Sequence, residues 1–550
     1  MSLLNKRHHF LWALAALVLA LPLALPLLSI VVLALEPSEN IWPHLVATVL
    51  PQYLSQTFLL LSGVGILTFV IGVALAWVVT FHDFPGRRAV LWMALLPLAM
   101  PGYIVAYTYV DFLTYAGPLQ TALRGVMGWV RPSDYYFPDI RSLGGAIMVL
   151  SLALFPYVYL TARAALLKQS MTQIDVARTL GKSPLRVFLG IVLPQARAAI
   201  AVGLSLVLME CLNDIGAVGF FGVQTLTLGI YSAWLGQGNL GGAAQLAILV
   251  LLIVFALLFI ERRSRGLDER LHISQRPQPI IRLHLHGIRG WLTLITAALP
   301  ILIGFIVPAL ILLLQGLRHA DAALSKTFLD ALSHSILMAG LACVLTLIAA
   351  LLLAYANRLT QSHFIRVLTN FATIGYAIPG TVLAIGVMVP LGHFDNGLDA
   401  WMRTHVGLST GLLLSGSMTA LSLAYVARFM MIAFGTLENG LQKITPNVDA
   451  VARTLGRNSL RVFIDIHLPL LRPALIATAL LVFVDAMKEL PATLLLRPFG
   501  FETLATSVFN LASLDKVEEG AVPALAIVLA GLLPVILLSQ SLRDPAIKRP

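Results

Sequence analysis

Charge is scarce in this chain. Only 11% of its 550 residues are Asp, Glu, Lys or Arg, whereas 58% are hydrophobic, and the mean hydropathy is +0.88. Those proportions exclude a soluble globular domain, which cannot hide so much apolar surface. Cysteine is nearly missing as well. Cys211 and Cys343 are the whole complement, and each lies inside an apolar run. Two such residues cannot build a metal knuckle, and no disulfide is expected of them. Short segments of alternating polarity dominate nowhere, which argues against membrane strands.

What is present instead is a series of apolar runs of about 20 residues or longer, the length an α-helix needs to cross a bilayer. About twelve spans are predicted. Six lie near 11–35, 58–81, 89–112, 143–167, 196–221 and 241–260, and six near 291–315, 333–356, 366–391, 409–434, 472–495 and 521–541. The first run follows Lys6 and Arg7 as a signal peptide would, but it is too long for an h-region and reads as a membrane helix. Spans that carry proline, such as 91–110, are expected to kink.

The net charge of +11 does not point to nucleic acid, because the basic residues gather between spans, where they set orientation. Lys6 and Arg7, Arg87 and Arg88, the 163–197 region and the 261–290 segment fall on one side. That last segment alone holds Arg262, Arg263, Arg265, Arg270, Arg276, Arg282 and Arg289. The opposite loops are mixed or acidic, with Glu36, Glu39, Asp395, Asp399, Arg403, Glu502, Asp515, Glu518 and Glu519. Both termini are therefore expected in the cytoplasm. The domain organisation expected is a first membrane domain at 1–260, a basic cytoplasmic linker at 261–290 and a second membrane domain at 291–550. His284 and His286 in the linker read as an incidental pair.

Two polar segments repeat each other 275 residues apart. Val176-Ala-Arg-Thr-Leu-Gly181 returns as Val451 to Gly456, Leu185-Arg-Val-Phe188 as Leu460 to Phe463, and Leu193-Pro194 as Leu468-Pro469. Six spans separate the copies, so both face the same side and the halves are parallel repeats. Each copy reads as two short helices around a tight turn. Thr172 with Asp175, and Thr445 with Pro446, are candidate starts. Gly181 and Gly456 are candidate left-handed ends, and Ser183-Pro184 and Asn458 are candidate second caps. A DNA-reading helix pair is a poor fit beside membrane spans. Gly181-Lys182-Ser183 is not a phosphate loop, since Val176 stands where its leading glycine belongs.

These segments resemble the EAA loop of ATP-binding-cassette importer permeases, roughly E-A-A-x-x-L-G with a Leu-Pro about a dozen residues on. Asp175-Val176-Ala177 and Ala450-Val451-Ala452 stand at the EAA positions. The resemblance implies an all-α polytopic membrane protein with two parallel six-helix halves, the type I importer permease fold. It also implies ATPase docking through Asp175, Ala177, Arg178 and Gly181 in one half and Ala450, Ala452, Arg453 and Gly456 in the other. The glutamate that helps dock the loop is Asp in the first copy and Ala in the second, with Asp449 one position away, so unequal docking is expected.

The stretches 220–231 and 487–499 are similar to ferric-iron importer permeases. That likeness implies a periplasmic binding protein and an ATP-binding-cassette ATPase dimer as partners, membrane lipid around the chain, no nucleic acid, and a bacterial inner membrane location. No cofactor and no catalysis are expected of this chain, since ATP is used by the partner. Permeases for thiamine, polyamines or other small solutes share the loop.

The same offset relates membrane acids: Glu210 to Asp485, and Asp214 to Glu489. Within each half they are four residues apart and share a helix face. A carboxylate at membrane depth costs about 2.5–3.5 kcal/mol unless it has a partner or water. The four are candidate translocation-path acids, with no tightly bound metal expected. A purely structural role is the alternative, and Lys488 favours it for Asp485 or Glu489. Tyr103, Tyr107 and Asp111 are weaker candidates. A proton-coupled secondary carrier is the rival class, in which the acids would relay protons.

Overall fold

The computed structural model describes residues 3–35, 40–169, 171–268, 282–360, 362–457 and 459–541. Glu36, Glu39, Arg270, Arg276 and Asn458 lie outside the described residues. The described chain is built of helices, and its only sheet is a pair of two-residue parallel strands, His82–Asp83 with Leu283–His284.

Ten helices among the described residues are long and apolar enough to cross a membrane: Trp12–Leu35, Leu50–Phe81, Leu143–Leu166, Leu185–Asn213, Leu240–Ser264, Gly287–Arg318, Lys326–Thr360, Met418–Gln442, Phe463–Met487 and Ala521–Ser539. An eleventh counts only if the pair Arg87–Ala99 and Gly102–Met127, bent by 90°, is taken as one span. The predicted spans at 89–112 and 366–391 are thus interrupted. Both break at the same motif, Met100-Pro101-Gly102 and Ile378-Pro379-Gly380. Proline forces the preceding residue out of helical geometry and removes an N–H. Met100 (φ −113°, ψ 117°) and Ile378 (φ −84°, ψ 126°) are accordingly extended, and new helices start at Gly102 and Gly380.

Two compact units result, and they cut across the sequence halves. One comprises residues 1–41, 230–248 and 325–507, the other 42–229, 249–324 and 508–550. In the first unit the Leu3–Leu35 helix packs on Lys326–Thr360, His363–Thr373 and Gly380–His405. Ser29 Oγ donates to Gly386 O at 2.7 Å, where the helices touch. In the other unit Leu50–Phe81, Leu143–Leu166 and Leu193–Asn213 pack together. Gly72 and Gly203 both close on Val158, where added Cβ atoms would sit 2.8 Å from its Cβ and 2.9 Å from its Cα. Such small-residue contacts are how helices gain dispersion energy in lipid. Gly287–Ile301 joins this unit against Arg87–Met93, and Val307–Arg318 packs on Gly102–Leu113 and Ala521–Ser541. The opening helix of each half is therefore lent to the unit built on the other repeat.

The Leu240–Asp268 helix continues past residue 260 into the segment expected to be linker. At the far end of that segment Leu285 N donates to Asp83 O at 2.8 Å, and His284 Nδ1 lies 3.1 Å from Asp83 Oδ2. His284 thus has a structural partner. Cys211 and Cys343 are buried free thiols.

Candidate functional site

The repeated loops fold alike down to backbone detail. The first runs through helices Met171–Thr179 and Pro184–Val187, a π-turn at Phe188–Val192 and the Leu193–Asn213 helix. The second runs through Pro446–Thr454, Ser459–Val462, a π-turn at Phe463–His467 and Leu468–Met487. Gly181 (φ 74°) and Gly456 (φ 77°) take the left-handed conformation that closes the leading helix. Lys182 N donates to Ala177 O at 3.1 Å and Gly181 N to Arg178 O at 2.9 Å, a Schellman closure, and Arg457 N matches it by donating to Ala452 O at 3.0 Å. Thr172 stands inside the first turn, because the helix already begins at Met171. Helix ends shift by a residue readily.

Ala177 and Ala452 are buried, so they seat the loop on its own unit. Asp175, Arg178, Gly181, Ala450 and Gly456 are exposed, and Arg453 lies in the Pro446–Thr454 helix. Around them stand apolar side chains bare to solvent: Val176, Leu180 (73% exposed) and Leu185, then Val451 and Leu455 (76%). In the first copy the exposed Arg178 stands among these apolar side chains, and apolar surface left bare in this way is an interaction feature rather than a core one.

The anchors beneath the loops differ. In the first copy Ile174 and Val192 are fully buried. Gln169 Nε2 donates to Val192 O at 2.7 Å, and Trp77 meets Phe188 edge-on at 4.8 Å. Burial first, and then the Arg178 charge, hold the nearby His82 imidazole below its ordinary pKa. In the second copy Asp449 and His467 occupy the positions of Ile174 and Val192. Asp449 accepts from Arg358 Nε at 3.0 Å and Nη2 at 2.8 Å, and sits 2.7 Å from His467 Nε2. Arg358 also donates to Leu441 O at 2.6 Å and Ile444 O at 3.0 Å. Asp449 therefore points into its own unit. It is not turned to the face that carries Val451 and Leu455.

The membrane acids separate into two kinds. Asp214 ends the Leu193–Asn213 helix and caps Ile215–Phe220, accepting from Ala217 N at 2.8 Å. Glu489, between the Leu468–Met487 and Pro491–Leu496 helices, turns its carboxylate onto the first turn of the second, accepting from Ala492 N and Thr493 N at 3.1 Å each. Each carboxylate presses on the glycine after a chain-breaking proline, Gly102 or Gly380, where a Cβ would collide with it. Glu489 is buried in a polar network. Arg428 Nε lies 4.0 Å from it, Thr493 Oγ1 donates to it at 2.9 Å, and Tyr425 Oη meets Thr493 Oγ1 at 2.6 Å. The aligned positions around Asp214 are Leu150, Ala153 and Val218, all apolar and buried. Glu210 and Asp485 are half-buried one turn earlier. Asp485 is 2.9 Å from Lys488 Nζ, the local neutralisation expected of a structural acid. Sequence reading missed Gly102, Gly380, Arg358 and Arg428. The repeated Pro-Gly pair was the available signal for the glycines.

Residues 68–265 and 346–549 each match the family "binding-protein-dependent transport system inner membrane component", and each match holds one loop and one acid pair. The chain belongs to that family. It is an integral multi-pass membrane protein, the permease component of an ATP-driven importer, and ATP hydrolysis is carried out by a separate subunit.

Among particular relatives, it is 27% identical over 541 residues to the Fe(3+)-transport system permease protein FbpB 2 of Haemophilus influenzae, covering 97% of this chain and 99% of that one. It is 26% identical over 279 residues to the sulfate transport system permease protein CysW of Escherichia coli, covering 48% of this chain and 92% of the relative. A putative 2-aminoethylphosphonate permease, PhnU of Salmonella choleraesuis, is 26% identical over 197 residues, 35% of this chain and 68% of its own.

Proposed function

We propose that this chain is the fused permease of a ferric-iron importer, fed by a periplasmic binding protein and driven by an ATPase dimer that docks on its two repeated loops. The observation that carries the cargo is likeness in register over nearly the whole chain to an Fe(3+) permease, whereas the sulfate and phosphonate relatives match about half of it or less. The observation that carries the docking is the pair of exposed apolar and arginine-bearing loops. Both termini and both loops face the cytoplasm in this reading, supported by the arginine distribution. ATP-driven closure of the ATPase pair draws the loops together and opens the path outward. Hydrolysis resets it, so the loops must be stiff levers. Their closed caps and inward anchors supply that stiffness.

The acids divide the remaining work. Asp214 and Glu489 hold the short helices that follow them, Asp485 is paired with Lys488, and the half-buried Glu210 lines the path. Among the described residues no three His, Cys, Asp or Glu side chains converge as a metal centre. That suits a conduit, which an ion must leave. The chain itself binds no cofactor in this reading.

Uptake of 55Fe(III) by vesicles holding the permease, its ATPase and its binding protein tests the proposal. ATP-dependent uptake competed by Fe(III), and not by sulfate, thiamine or spermidine, is expected. Transport by the permease alone on a proton gradient would instead identify a secondary carrier.

A further inference from the structure

One polar corner of the 42–229, 249–324 and 508–550 unit has no role so far. Gln315, in the Val307–Arg318 helix, is only 4% exposed. Its Nε2 donates to Asp111 Oδ2 at 2.8 Å. Its Oε1 is buried too and has no hydrogen-bond partner. A buried amide oxygen left without a donor is destabilising. One helical turn away, Thr108 and Leu312 line a small, mostly apolar cavity of about 10 Å³ together with Tyr107, Ala512 and Val517. The Thr108 hydroxyl is turned away, donating to Ile104 O at 2.8 Å.

Charged and titratable groups surround the corner: His319 Nδ1 lies 3.1 Å from the Gln315 backbone O, and Arg318 ends the same helix. Glu518 adds its field to that of Asp111, while Lys516 is held 3.0 Å from Glu519. The corner belongs to one repeat only. Counted from the shared Pro-Gly break, Tyr107 and Asp111 correspond to Ile385 and Val389, so the second repeat offers no acid there. A carboxylate and, beside it, a buried amide oxygen in want of a positive partner are the ingredients of an oxygen-donor cation site.

We propose that Asp111 and Gln315 form a subsite for a hard multivalent cation at the extracytoplasmic end of this unit, where released cargo first meets protein oxygens. The assignment rests on the import reading above. Two protein ligands completed by water hold an ion weakly, as a passing station must. The pair also acts as a selectivity element, because sulfate and other anions meet a carboxylate there.

The test is Tb³⁺ titration of the full chain in phosphatidylcholine nanodiscs, read by luminescence sensitised through protein aromatics and by melting temperature. Asp111→Asn should weaken binding by about tenfold or more, equivalent to about 1.4 kcal/mol. Gln315→Glu brings a second carboxylate to the same point. A cation site predicts tighter Tb³⁺ binding and a melting temperature raised only when Tb³⁺ is present. A mere tie between helices predicts a lower melting temperature with and without Tb³⁺, and that result would overturn the proposal. Unchanged binding in Asp111→Asn, or equal loss in Asp399→Asn, whose carboxylate is held by its own loop, would overturn it as well. Should Asp111→Asn fail to fold, Gln315→Glu decides alone. The assay needs neither ATPase nor binding protein. Failed iron uptake with intact Asp111-dependent Tb³⁺ binding would therefore sink the ferric reading and leave the site standing.

Discussion

The two repeats solve the same mechanical problem with opposite chemistry. Below its loop the first copy buries Ile174 and Val192, and around Asp214 it sets Leu150, Ala153 and Val218. The second copy puts Asp449 and His467 below its loop, tied to Arg358, and Arg428, Thr493 and Tyr425 around Glu489. Backbone geometry is kept throughout, with matching left-handed glycines and π-turns. Side chains that must only hold shape can therefore be exchanged between apolar and ionic sets. The exchange is not neutral, however. Apolar packing loses a transfer and cavity term when cut, whereas a buried ionic network strands an unpaired charge when only one partner is removed.

That contrast can be broken in order of size. Glu489→Leu strips a carboxylate from a buried arginine and should cost about 3–5 kcal/mol. Asp214→Leu loses mainly a helix cap, about 1 kcal/mol. Heat inactivation of the purified permease should rank them so, and equal losses would mean that the Arg428 network adds nothing. Ile174→Ala should cost about 2–5 kcal/mol and be insensitive to salt. Asp449→Ala should cost about 1.5–3 kcal/mol and shrink in high salt, because the Arg358 pair is partly exposed. ATP-driven transport measured from low to high ionic strength checks both.

Gly181→Ala and Gly456→Ala should each cost about 1–2 kcal/mol for holding an L-residue left-handed. Their equality is what the shared backbone demands, and a large difference in melting would break the claim of common geometry. Arg178→Glu and Arg453→Glu should lower transport while leaving membrane insertion and melting unchanged. Normal uptake by the double mutant would count against docking at these arginines.

The smallest effect concerns pH. Hydrogen bonds from Gly411 N–H first, and from Ser409, push the Asp399 carboxyl down to about 2. Its contribution is present above the ordinary carboxylate pKa and is lost as pH falls through about 2. Amide exchange at Gly411 should rise over that window, and Asp399→Asn should abolish the pH dependence.

Much was legible in the sequence because membranes impose strict rules. Helices must satisfy their own backbone in lipid, so apolar runs of sufficient length gave ten of the spans. The exact repeat of Val-Ala-Arg-Thr-Leu-Gly located both loops, and glycine at the turn could be read as a left-handed cap because few residues substitute there. The acids at 210, 214, 485 and 489 were found by offset, but their separate jobs were not. Nothing local distinguishes a carboxylate that caps a six-residue helix, as Asp214 does, from one that stands one turn earlier, as Glu210 does.

The sequence by itself determined that this protein lives in a membrane, that it is a duplicated permease and where its two repeated loops lie. Composition, charge placement and repetition are properties of the string. Only the tertiary structure decided that the opening helix of each half joins the unit built on the other repeat, and that Asp449 turns inward to Arg358. It alone placed Gln315 against Asp111, 204 residues away in the chain. Those outcomes depend on which surfaces meet, and contacts between distant segments leave no periodicity for a sequence to display.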